Sequence, residues 1–87
     1  MKFLKNPKIF SKKIKGKWFI LEINQEYTQE LNETDAFIWE MLTKALSKEE
    51  IIDKICQHYQ VTKTTVTKDV NTLIKLFLKK GFLIKQT

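Results

Sequence analysis

QEYTQELNETDAFIWEML, residues 25–42, changes period in its middle. Up to Leu31 it alternates as a strand does, with Tyr27, Gln29 and Leu31 on one face and Thr28 and Glu30 on the other. From Asn32 the spacing is helical: Ile38, Leu42 and Ala45 fall in one row, with Trp39 and Leu46 beside it. The helix must bury that aromatic-rich face. The strand before it is short, polar and free of lysine, and nothing local says what it is for.

Upstream, Lys15-Gly16 separates two apolar stretches as the two-residue turn of a hairpin would. The first strand is expected over roughly 8–14 and the second, KWFILEI, over 17–23. The second is the most hydrophobic and therefore central. A turn at Asn24-Gln25 leads into a third strand over 26–31, completing a three-stranded antiparallel meander.

Downstream, three helices are expected. The first has Asn32 as N-cap with Asp35 three residues on. The second starts at Ser47, where S-K-E-E places Glu50 for a capping box, and runs to about Tyr59. The third begins near Thr62 or Lys63 and stops at Gly81, with Lys79 and Lys80 at the negative end of its dipole. Phe82, Leu83 and Ile84 form a short apolar tail that folds back on the core. The fold class is α+β: a three-stranded antiparallel sheet followed by three helices, winged helix-turn-helix-like, in one domain over 1–87 with 1–7 flexible.

Eighty-seven residues, 43% apolar and 30% charged, suit one small globular core. A surface groove fits that size better than a deep pocket. No run of about 20 apolar residues exists to span a membrane. MKFLKNPKIFSKK lacks a long apolar stretch and a small-residue cleavage site, so no secretory signal is expected and the expected location is cytoplasmic. Cys56 is alone, in a helical row with Ile52, Ile55 and Tyr59, and reads as a small core residue.

The net charge of +6 is unevenly spread. Residues 1–17 hold seven Lys and no acid, residues 22–53 nine acids and two Lys, and residues 54–87 seven Lys and one Asp. All sixteen basic residues are Lys. A basic chain raises nucleic-acid binding, but the absence of Arg, the commonest reader of guanine, counts against sequence-specific recognition. A DNA-binding winged helix also generally carries its hairpin after the recognition helix, whereas here the sheet comes first. A small winged-helix DNA-binding protein is the alternative reading, and a dimer assembled through an open strand edge is a third.

No chemistry is visible. There is no HExxH, no CxxC, no Gly-rich phosphate loop, and a single His, so neither an enzyme nor a bound metal or cofactor is expected.

Several short elements in order carry a resemblance: Leu31-Asn32, Ala36, Ile38-Trp39, Glu50-Ile51, Tyr59, Asp69-Val70, Leu73-Ile74, Phe77 and Gly81-Phe82-Leu83. Together they resemble the PqqD family of peptide-recognition elements over roughly residues 8–84. The resemblance implies three strands followed by three helices. It also implies capture of the leader segment of a ribosomal precursor peptide, as an added strand, in the cleft between the third strand and third helix. The leader is then presented to a modifying enzyme or leader peptidase, in pathways such as those of lasso peptides or pyrroloquinoline quinone. Neither a membrane nor a nucleic acid is a partner in this reading.

The residues agree with that implication in one respect. Edge strands usually carry Lys or Pro that block pairing. The first strand has Pro7, Lys8, Lys12 and Lys13 on or beside it, whereas Glu26, Tyr27, Thr28, Gln29 and Glu30 include neither. Those five are the expected strand side of the peptide site. On the third helix Val66, Val70, Leu73 and Phe77 form the core stripe. Beside it lie Thr67, Asn71, Ile74 and Leu78, a half-apolar lateral face flanked by lysines and the expected groove wall. Val70, Asn71, Ile74, Lys75 and Leu78 are thus the expected helix side. The opposite lateral face, Thr65, Asp69, Thr72 and Leu76, is more polar and ranks second.

Overall fold

The computed structural model describes residues 1–21 and 28–86. In these, β1 is Lys2–Lys5, β2 Phe10–Ile14, β3 Lys17–Leu21, β4 Thr28–Glu30 and β5 Leu83–Gln86. The helices are α1, Glu33–Met41; α2, Lys48–Tyr59; and α3, Lys63–Lys79. The antiparallel meander β2-β3-β4 followed by three helices is the expected α+β architecture. Glu26, Tyr27, the Asn24-Gln25 turn and the end of the second strand lie outside the described residues.

The hairpin turn works because Lys15 (φ 51°) and Gly16 (φ 80°) both take positive φ, as the mirror-image turns that match strand twist require. β2 and β3 then pair from Phe10↔Leu21 to Ile14↔Lys17. β4 continues the sheet through Leu21↔Thr28, Ile20↔Gln29 and Phe19↔Glu30. Ile20, fully buried, turns inward to the helices. Phe10, Ile14 and Leu21 turn outward and are exposed.

Each expected cap is present in some form. Asn32 Oδ1 accepts from the Asp35 amide at 2.8 Å. Ser47 and Glu50 form the reciprocal capping box, at 3.2 and 3.0 Å. Thr62 caps α3 without a side-chain hydrogen bond. Gly81 stops α3 at φ +78°, a conformation suited to glycine.

The core gathers α1, α2 and α3 around Trp39, Phe77 and Phe82, all 0% exposed. Their rings pack edge-on or tilted at centroid distances of 5.6–6.4 Å. Trp39 Nε1 finds no acceptor among the described residues. The Lys5 ammonium lies 5.0 Å from the Trp39 ring centroid, and burial lowers its pKa. Cys56 is half-buried against this core.

The N-terminus differs from expectation. Residues 1–7 were expected to be flexible, but β1 pairs with β5 from Lys2↔Gln86 to Lys5↔Leu83. Phe3 is buried at 4% exposure, and its amide and carbonyl both bond Leu46, at 2.7 and 2.9 Å. The physical reason is the apolar tail: Phe82 and Leu83 fold into the core and leave a strand that needs a partner.

Candidate functional site

β4 ends the β2-β3-β4 sheet, so one of its sides is unpaired among the described residues. Its hydrogen-bond phase decides which groups that side offers. The Leu31 amide donates to the Trp18 carbonyl at 2.9 Å, toward β3. Antiparallel ladders alternate, so the amide and carbonyl of Gln29 also face β3, and those of Thr28 and Glu30 face away. Thr28 and Glu30 therefore present the open backbone donors and acceptors.

Side chains alternate the other way. Gln29 is opposite Ile20 and points inward, half-buried. Its Oε1 accepts a hydrogen bond from Lys80 Nζ at 2.6 Å, across 51 residues of chain. This exposed side-chain bond links β4 to the C-terminal end of α3.

Lys80 lies on one flank of α3. Asp69, Leu73, Leu76 and Lys80 are spaced by four, three and four residues and form one stripe. Leu73 is nearly buried, and Leu76 is 41% exposed. At the other end of the stripe, Asp69 meets Asp35 on α1 around a cavity of about 80 Å³ floored by Ile38, Ile55 and Val70. Burial holds the Asp35 carboxyl above its ordinary pKa.

The residues of the expected helix wall separate by burial. Val70 and Ile74 are each 1% exposed and belong to the core. Leu78 and Asn71 are half-buried, and Lys75 is exposed. The flank of Thr67, Asn71, Ile74 and Leu78 lies on the other side of the core stripe from Asp69, Leu76 and Lys80. Gln29 contacts Lys80, which continues the row of Asp69 and Leu76 from the second-ranked face. On the expected strand side, Thr28, Gln29 and Glu30 form β4, whose outer edge is unpaired among the described residues.

Two larger hollows each include a residue of β4, Glu30 in one and Thr28 in the other. One of about 590 Å³ opens between the β2–β3 turn, α1 and the end of α2. Phe37 and His58 stack there with centroids 4.4 Å apart. It uses Glu33, Phe37 and Glu40, the opposite side of α1 from Thr34 and Asp35. The second, about 480 Å³, is the apolar outer face of the sheet over Phe10, Ile14, Phe19 and Leu21. Among the described residues no group of His, Cys, Asp or Glu is arranged to hold a metal. No helix there is long and apolar enough to cross a membrane.

The fold has close counterparts. A structure described as TbiB1 in complex with the TbiA(beta) leader peptide matches with a TM-score of 0.83 and 24% identity, covering 97% of this chain and 98% of that one. Lasso peptide synthetase B1 complexed with the leader peptide matches at 0.82 and 20%, covering 98% and 100%. The PqqD truncation of Methylobacterium extorquens PqqCD, described as a stand-alone recognition element for ribosomally synthesized and post-translationally modified peptides, matches at 0.77 and 12%, covering 97% and 89%. Among curated proteins, none matches. The family model for coenzyme PQQ synthesis protein D (PqqD) matches residues 17–83, which runs from the start of β3 through β4 and all three helices to Leu83. The chain belongs to the PqqD family.

Proposed function

We propose that this chain is a non-catalytic recognition domain that binds the leader segment of a ribosomal precursor peptide as an added strand on β4, against α3. The observation that carries the reading is the edge itself. Thr28 and Glu30 turn their backbone groups to a side that is unpaired among the described residues, on a strand without Lys or Pro. Three similar folds that are peptide-bound or described as recognition elements support it. Main-chain bonds supply affinity in this mode, and alternate side chains supply selectivity. The loaded leader passes to a modifying enzyme or leader peptidase, and the apolar outer face over Phe10, Ile14 and Leu21 is the open surface that suits a protein partner.

The test is Thr28→Pro. The Thr28 amide faces away from β3, so proline there removes an edge donor without breaking the β3 ladder. The probe is the N-terminal half of a precursor-like peptide encoded beside the gene, titrated by fluorescence anisotropy. Loss of binding with an unchanged melting curve is expected. Equal affinity in a folded Thr28→Pro protein removes strand addition at this edge.

A further inference from the structure

The α3 flank from Asp69 to Lys80 carries opposite charge at its two ends, and neither end has an ion-pair partner among the described residues. At one end Asp35 and Asp69 border the small cavity between α1, α2 and α3. The ion pairs among the described residues are Lys2–Glu50, Lys13–Glu40 and Lys17–Glu30, so neither aspartate has a basic partner there. About 80 Å³ is room for two or three methylene-sized groups, taking roughly 30 Å³ for each. The floor, Ile38, Ile55 and Val70, is aliphatic. An apolar side chain would fill this space but leave the half-buried Asp35 carboxyl, raised in pKa by burial, without compensation beside the exposed Asp69. A long aliphatic stem ending in a cation satisfies both floor and rim.

At the other end Lys80 Nζ rests on the neutral amide oxygen of Gln29. A carboxylate is the stronger partner for an ammonium, because charge-assisted hydrogen bonds exceed neutral ones. A strand entering beside Gln29 meets this contact directly, so an acidic side chain can take Lys80 from it.

Resting on the strand-addition reading above, we infer that the cleft selects a peptide strand with a Lys or Arg seated at Asp35 and Asp69 and an Asp or Glu seated at Lys80. Spacing and direction follow. From Asp69 to Lys80 α3 rises about 16 Å at 1.5 Å per residue, which a strand covers in roughly five residues. Two side chains on the same strand face are an even number apart, so the acidic residue lies about four or six from the basic one. β4 runs from Thr28 toward Asp35, and antiparallel addition is the more stable pairing, so the basic residue comes first.

The experiment selects binders from a displayed library of random dodecapeptides on the immobilised full chain, with folded Thr28→Pro as counter-selection. Enrichment of a basic residue followed at that spacing by an acidic one is expected. The best binder should weaken about tenfold or more on Asp35→Asn with Asp69→Asn, and on Lys80→Gln. Lys80→Glu should recover binding when the acidic residue of the peptide is changed to Lys. Melting curves establish that each variant is folded. Binders lost on Thr28→Pro but lacking the charge pair, or indifferent to the three substitutions, overturn the inference and leave strand addition standing. A selection that yields no binder dependent on the Thr28 edge overturns strand addition and the inference with it.

Discussion

Ile74 and Leu76 are two positions apart on α3 and have opposite fates, the first 1% exposed and the second 41%. Two helical steps turn the side chain by about 200°, from the core to the flank that carries Lys80. Ile74→Ala should therefore cost about 2–5 kcal/mol of stability, the range for aliphatic truncation in a packed core. Leu76→Ala should change stability by no more than about 0.5 kcal/mol and weaken peptide binding instead. Urea unfolding beside a peptide titration separates the two. A destabilised Leu76→Ala protein with intact binding would reverse the assignment of faces.

That pair also shows where the sequence stops being informative. The period of α3 marks Val66, Val70, Leu73 and Phe77 as core, and all four are buried. It also marks two flanks, but the choice between them depends on where β4 lies, which is a matter of tertiary placement. The apolar content of Ile74 and Leu78 favours one flank, but a core centred between Val70 and Ile74 absorbs Ile74 and leaves Leu78 half-buried. The one sequence signal for the other flank is Leu76 between Asp69 and Lys80, too weak to outrank two apolar positions. The lysine-free edge of Thr28–Glu30 was legible because edge protection is a local property of composition.

The same limit hid β1. Phe3-Leu4 between Lys2 and Lys5 is too short for alternation to register, and its partner strand begins at Leu83. Phe3 is nonetheless core, held by two backbone bonds to Leu46. Phe3→Ala should cost about 3–5 kcal/mol, as truncation of a buried aromatic does. Guanidinium unfolding measures it. A change below about 1 kcal/mol would mean that β1 contributes little to the folded state.

Capping was read correctly, and its energy is separately testable. Ser47 accepts from the Glu50 amide while the Glu50 carboxylate accepts from the Ser47 amide. Ser47→Ala should lower stability by about 1 kcal/mol, and Ser47→Gly by only a few tenths. Equal losses for both would show that the cap hydrogen bond is not the cause.

Acid should weaken one specific contact between the sheet and α1. Trp18 Nε1 donates to Glu40 Oε1 at 2.7 Å, and Lys13 Nζ donates to the same oxygen at 3.1 Å. The hydrogen bond from Trp18, then that from Lys13, holds the Glu40 carboxyl below the ordinary glutamate pKa. The sign follows from linkage. A carboxyl with a depressed folded pKa stabilises the fold above its unfolded value, near 4.3, and that contribution disappears as pH falls through the folded value. Glu40 is exposed, so the contribution should stay below about 1 kcal/mol and shrink with salt. Glu40→Gln keeps an acceptor for Trp18 but cannot titrate, so its stability should fall less steeply than the parent between about pH 5 and pH 3. Trp18→Phe, which removes the largest cause of the shift, should move the Glu40 side-chain carboxyl titration back toward the ordinary value. Carbon-detected NMR titration of that carboxyl, run beside urea unfolding at each pH, measures both. A Glu40 titration unchanged by Trp18→Phe would mean that this hydrogen bond does not hold the carboxyl in solution.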